Sequence, residues 1–281
     1  MSVAQKPRHR QILPGFGLTM GYTMTYLGLI VIIPLAAAFL TAAKLPLAQW
    51  LHVLLAPRVL AAFRLSILAS LAAALLNAAF GLLIAWVLTR YEFPGRRLFD
   101  ALVDLPFALP TAVAGIALAA LYGPNGWLGR LLAPLGIKVA FTPLGVVLAL
   151  TFIGLPFAVR TLQPVLADLD LDLERAADTL GAGPFMVFRR IIFPALLPAI
   201  ITGAALSFSR ALGEYGSVIF IAGNIPLVSE IVPLVIITKL EQFQYTEAAV
   251  LAVTMLLISF AMLFVINAGQ LALQRRHQAR Q

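Results

Sequence analysis

The chain contains no cysteine. Disulfides and thiolate metal sites are therefore excluded. Charge is scarce: 11% of the 281 residues are Asp, Glu, Lys or Arg, against roughly 25% in a typical soluble domain. Acids are scarcer than bases, 12 against 20, which leaves a net charge of +8. Histidine is limited to His9, His52 and His277, all outside the long apolar segments. A His-based proton relay or metal site within those segments is not expected. No G-x-x-x-x-G-K-[ST] run occurs, so the phosphate-cradling loop of an ATPase is absent. An intramembrane enzyme would need a Ser–His pair, two aspartates or a metal cluster inside apolar segments, and none is found.

What the chain has instead is hydrophobic residues, at 61%. That is too many for one buried core, and lipid is the expected solvent. About 20 apolar residues cross a bilayer. Six segments qualify, near 19–43, 62–89, 103–122, 143–163, 195–213 and 248–272. The first follows Lys6, Arg8 and Arg10, and its length suits an uncleaved helix better than a signal peptide. Pro106 and Pro110 shape the start of the third. Residues 215–238 are apolar but interrupted by Gly216, Gly223, Asn224, Pro226, Glu230 and Pro233, and read as a loop or re-entrant region. The expectation is an all-α integral membrane protein with one membrane domain at 19–272 and tails at 1–18 and 273–281.

Charge sets the orientation. With six crossings both termini share a side. That side holds Lys6, Arg8, Arg10, Arg275, Arg276 and Arg280 in the tails, and Arg90, Arg96, Arg97, Arg160, Arg175, Arg189 and Arg190 in connectors. The other side holds Lys44, Arg58, Arg64, Arg130, Lys138 and Lys239. The positive-inside bias places both tails in the cytoplasm. The basic residues form no continuous patch, so nucleic acid is not an expected partner.

Residues 164–194 are then the longest cytoplasmic connector. LDLERAADTLGAG reads as a short helix, capped by Asp170 or Asp172, with Asp172 and Glu174 against its dipole. Gly181 and Gly183 provide a left-handed close. Pro184 opens a second helix, PFMVFRRIIF, with Arg189 and Arg190 at its end. Leu180, Phe185, Met186 and Phe188 sit apolar among charges, as a protein contact would.

This elbow resembles the EAA loop of ABC-importer permeases: EAA, three residues, Gly, nine residues, I-x-L-P. Here it reads Arg175-Ala176-Ala177, Gly181, then Ile191-x-Phe193-Pro194. Arg175 stands where the motif has Glu, with Glu174 one position earlier, and Phe193 stands for Leu. FPGRRLFDALVDLPFALPTAVAGIAL (93–118), ALGEYGSVIFIAGNIPLVSEI (211–231) and KLEQFQYTEA (239–248) resemble the sulfate/thiosulfate permeases of the CysT type. The molybdate/tungstate permeases and the sister sulfate subunit CysW are close relatives of that type.

The resemblance implies the type I ABC-importer (MetI-like) fold in a bacterial inner membrane. It implies a second homologous permease, CysW-like, with two ATP-binding subunits and a periplasmic sulfate/thiosulfate-binding protein. This chain would bind no cofactor; ATP and Mg would be used by the ATPase subunits. Residues Glu174, Arg175, Ala176, Ala177, Leu180, Gly181, Phe185, Ile191 and Pro194 would couple to the ATPase.

Arg210 and Glu214, four apart, are expected to share a helix face near the outer end of the fifth span. With Gly213, Gly216 and Asn224 they form a possible anion path or gate. Two readings stay open: direct contact with an anion, or a structural ion pair with glycines for close packing. Asp100 and Asp104 read as an interfacial charge cluster with Arg96 and Arg97. Asn77 reads as a helix–helix hydrogen bond. Glu214 alone reads as a buried acid, too few for an ion-coupled secondary transporter.

Overall fold

The computed structural model describes the backbone of residues 15–278, and no strand occurs among the described residues. The chain opens with α1 (Phe16–Ala42), a short α2 (Leu47–Leu54) and the long α3 (Pro57–Arg90). Then come α4 (Arg96–Val103), α5 (Leu105–Ala108), α6 (Thr111–Tyr122) and α7 (Trp127–Leu132). Next are α8 (Pro143–Ala167), α9 (Leu171–Thr179) and α10 (Pro184–Leu212). Short helices α11 (Val218–Ile221) and α12 (Val232–Glu241) lead to α13 (Tyr245–Gln278).

Five of these, α1, α3, α8, α10 and α13, are long and apolar enough to cross a membrane. The expected span at 103–122 is not one helix. Leu109 takes an extended conformation before Pro110, as the clash with a proline ring requires, and α6 has only 12 residues. The expected span at 195–213 starts earlier, at Pro184. Residues 215–238 form turns around α11 and the first part of α12, in keeping with an interrupted region. The first span begins at Phe16, inside the expected tail of 1–18, and α13 runs into the expected tail of 273–281. Residues 1–14 and the side chains of Arg275, Arg276 and Arg280 lie outside the described residues.

α10 stays continuous across Pro194 because five residues, Phe188–Ile192, widen into a π turn just before it. Proline lacks the N–H that would close an α turn, and a wider turn accommodates the gap. α1 repeats the device, with a π turn at Gly28–Ile32 before Pro34.

α3, α8 and α10 pack against one another and form the centre. The buried face of α3 is a stripe of small residues: Ala62, Ser66, Ala69, Ser70, Ala73, Ala74, Asn77, Gly81 and Ala85. Small residues let helix backbones approach closely. The three helices cross closely around Ala158. A Cβ on Gly81 would fall 2.6 Å from the Ala158 Cβ, and one on Gly203 3.0 Å from the Ala158 Cα. Beside it the Asn77 amide donates to Ser207 Oγ at 2.7 Å, joining α3 to α10. Gly154 of α8 leaves the room, since a Cβ there would sit 2.3 Å from Ser207 Oγ. The expected interhelical hydrogen bond of Asn77 is thus present. Around this centre the end of α1, α2 and α12 pack with α13 through Ala42, Val53, Val235 and Leu251. No residue of Phe16–Leu27 is buried.

Gly81→Val should therefore cost about 1–3 kcal/mol through overpacking. Gly21, with nothing within 4 Å of its built Cβ, should accept alanine without loss. Thermal melting of both variants in one detergent checks the contrast.

Candidate functional site

The elbow is built from local rules. The Asp170 side chain accepts from the Asp172 N–H at 2.9 Å and caps α9. Gly181, at φ +80°, ends it in the left-handed region. Its N–H donates to Asp178 O and that of Ala182 to Ala177 O, at 3.0 and 3.1 Å. These two bonds are a Schellman closure. Gly183 is not left-handed, as the sequence reading expected; at φ −69° and ψ 159° it caps α10 instead. Pro184 takes the first helical turn. Arg189 and Arg190 lie inside the π turn of α10, not at a helix end, because the helix continues through Pro194.

The elbow is pinned to the end of α3. Arg90 Nη2 donates to Glu174 Oε1 at 2.6 Å, with both side chains mostly buried. The Arg90 guanidinium lies 5.4 Å from the centre of the Trp86 ring. Trp86 meets Phe188 edge to face at 5.8 Å. Ala177, Ala182, Phe188 and Ile191 pack against a core of Leu88, Leu162, Leu166, Val187 and Leu196. So Glu174, Ala177 and Ile191 face inward and hold the elbow. Arg175 and Ala176 face outward, and Arg175 pairs only with Asp172 at 3.1 Å in solvent. Leu180 and Phe185 project from the tip, 87% and 76% exposed, and Leu173 and Met186 are exposed as well. The tip is an apolar knob on a fixed base. Sequence spacing found the knob, but not Arg90 or Trp86, which lie more than 80 residues earlier.

At the far end of α10 the pair Arg210–Glu214 forms at 2.6 Å. It does not lie along one helix face as expected, because α10 ends at Leu212 and Gly213 closes it. The pair spans the helix end. Glu214 is 2% exposed and also accepts from the Ser217 N–H and Oγ, at 3.1 and 3.2 Å. The Arg210 side chain is 36% exposed. Gly216 and Gly223 serve close packing: a Cβ would meet Thr111 Oγ1 at 2.1 Å and Phe141 Cβ at 2.9 Å. Asn224, at φ +53°, turns inward and donates to Ile219 O at 3.1 Å.

Glu230 is a second buried acid, which the sequence reading missed. Arg58 holds it with Nε and Nη2 at 2.7 and 2.6 Å. No local spacing signals a pair 172 residues apart.

Asp100 and Asp104 do not pair with Arg96 and Arg97, as expected. Arg160 of α8 reaches across α4 and takes both, at 2.7 Å to Asp100 and 2.5 Å to Asp104. Asp100, on α4, and Asp104, just past its end, aim their carboxylates at α8 rather than back at Arg96 and Arg97. The Gln163 amide and the Arg160 guanidinium hold the Asp100 carboxyl below its usual range.

A family described as "Binding-protein-dependent transport system inner membrane component" matches residues 77–278. The sulfate transport system permease protein CysT of Salmonella typhimurium is 48% identical over 95% of this chain and 96% of its own. That of Synechococcus elongatus is 51% identical over 89% and 90%. Among solved structures, a bacterial alginate ABC transporter in complex with an alginate pentasaccharide-bound periplasmic protein aligns at TM-score 0.75. It covers 90% of this chain and 92% of that one at 13% identity, a likeness of fold.

Arg210→Ala should strand a buried carboxylate and cost about 3–5 kcal/mol. Adding Glu214→Gln should recover most of the loss in a thermal melt. Arg90→Ala and Glu174→Ala should each loosen the elbow, with a coupling of about 1–3 kcal/mol in a double-mutant cycle.

Proposed function

Because the chain belongs to the family of binding-protein-dependent transport system inner membrane components, we propose that it is the permease subunit of an ATP-driven sulfate importer. The two CysT relatives support the choice of anion. The observation that carries the mechanism is the pinned apolar knob of Leu180 and Phe185. Such a patch, rimmed by charge and fixed at its base, fits a groove on a protein. Here that protein is a separate ATPase subunit, which supplies the phosphate loop this chain lacks.

The proposed assembly holds this chain, a second homologous permease, two ATPase subunits and a periplasmic anion-binding protein in a bacterial inner membrane. Both tails lie in the cytoplasm with the elbow. The sixth crossing is the broken run α5–α6, completed by the extended Leu109–Pro110 link. Thiosulfate or another tetrahedral oxyanion of the same size and charge would meet the same groups.

Each ATP-driven closure moves the knob. α10 is one helix from that knob to the Arg210–Glu214 pair, so motion at the elbow reaches the outer end. There the half-exposed Arg210 offers a dianion transient attraction, while Glu214 keeps it from becoming a trap.

Two experiments test this reading. Proteoliposomes holding the purified complex and loaded binding protein should take up radiolabelled sulfate with ATP inside and not with an ion gradient alone. Uptake driven by the gradient would overturn the ATPase dock. Gly181→Val places a β-branched residue at φ +80°, at a cost of roughly 1–2 kcal/mol. ATP hydrolysis should then lose its stimulation by the loaded binding protein while the chain stays in the membrane. Normal coupled uptake would remove Gly181 from the mechanism.

A further inference from the structure

Two clefts lie side by side at the elbow end of the bundle, and they differ in chemistry. The first, about 490 Å³, is walled by Thr89, Arg96, Arg97, Asp100 and Gln163. The second, about 500 Å³, is apolar, walled by Leu83, Val87, Phe93, Phe99, Leu102 and Leu155. Leu88 lines both. They run together along α3, α4 and α8. Neither contains the knob, the Arg90–Glu174 pin or the Arg210–Glu214 pair.

The charges of the first cleft do not cancel. Asp100 accepts from Arg160 at 2.7 Å and from Gln163 at 2.9 Å, and Arg160 is shared with Asp104, so with Arg96 and Arg97 the cluster keeps an excess of one positive charge. Arg96 and Arg97 make no ion pair among the described residues. Two guanidiniums are thus left at the mouth, and guanidinium is the group best shaped to hold a phosphate. α4 carries Arg96, Arg97 and Asp100 on one side and Phe99, Leu102 and Val103 on others. That is the pattern of a helix lying in the headgroup layer. Phe99 and Leu102 are about half exposed, which leaves their surface open to an acyl chain.

We propose that these clefts are one binding site for an anionic phospholipid. The headgroup phosphate sits between Arg96 and Arg97, and an acyl chain lies along Leu83, Phe99, Leu102 and Leu155. A soluble anion makes no use of the apolar cleft, and a zwitterionic lipid brings the phosphate together with an ammonium that the arginines repel. The joined pair selects a ligand that has both parts. The site rests on the membrane reading of the chain and is independent of which anion it transports.

The full chain in nanodiscs of equal phosphatidylglycerol and phosphatidylcholine should retain phosphatidylglycerol when released for native mass spectrometry. Two arginines near a headgroup, each worth roughly fivefold, predict about a 25-fold preference over phosphatidylcholine. Arg96→Gln with Arg97→Gln should erase the preference, and Arg96→Lys with Arg97→Lys should keep most of it. Leu155→Trp, which fills the apolar cleft, should displace the lipid with both arginines intact. Short-chain phosphatidylglycerol should compete, and glycerol phosphate should not. Equal retention of the two lipids by the unaltered chain would overturn the proposal. So would equal competition by glycerol phosphate, which would reduce the site to a simple anion contact.

Discussion

In a bilayer the hydrophobic effect gives little reason for one helix to choose another, because lipid tails are as apolar as leucine. Attraction has to come from dispersion and hydrogen bonds at close range. In this chain that range is reached around Ala158. The backbones of α3 and α10 approach it through Gly81 and Gly203, and Asn77 ties the two flanking helices through Ser207. Larger residues at these points would hold the helices apart by the width of a side chain. The clusters above and below the crossing would then lose their depth. The elbow hangs on the lower one, through Leu162, Leu166 and Val187. The loops at the far end hang on the upper one, through Val146, Val218 and Ile221.

Charge is placed by the same economy. A lone ion in a low-dielectric setting is costly, and breaking a buried pair is costlier than never making it. Glu174 meets Arg90, Glu230 meets Arg58, and Asp100 and Asp104 share Arg160, each arginine coming from a distant element, while the buried Glu214 meets Arg210 four residues before it. These pairs sit near helix ends and staple connectors to the bundle. They fix geometry more than they add stability. The elbow shows the effect: its two short arms would be mobile if only caps held them, and Arg90 and Trp86 turn them into a rigid projection.

Local features were legible in the sequence. The cap at Asp170, the turn at Gly181 and the helix start at Pro184 depend on neighbours within five residues, and the structure has all three. The long apolar runs of α3, α8 and α13 were legible for the same reason. What failed was reasoning that assumed continuity or proximity. Apolar content hid the breaks before Pro106 and Pro110, while Pro194 looked like a boundary although a π turn carries α10 through it. Arg96 and Arg97 were near Asp100 along the chain, but Arg160 was near it in space. Glu230 looked like a mere interruption because its partner lies at the start of another helix. Side-chain pairing across a bundle has no one-dimensional signature.

The π turn at Phe188–Ile192 has a mechanical consequence. An ordinary α-helix resists bending because every tilt stretches hydrogen bonds on its outer side. At Pro194 one bond is already missing, and the widened turn has redistributed the rest. Pro198 removes a second bond one turn on, so bending stiffness is reduced over this stretch, above the exposed Phe185. Farther up, α10 is clamped at Gly203 against Ala158. The helix is compliant near the elbow and stiff where Gly203 meets Ala158. A displacement of the tip would therefore change the angle of α10 below Gly203 before it shifted the packed crossing above.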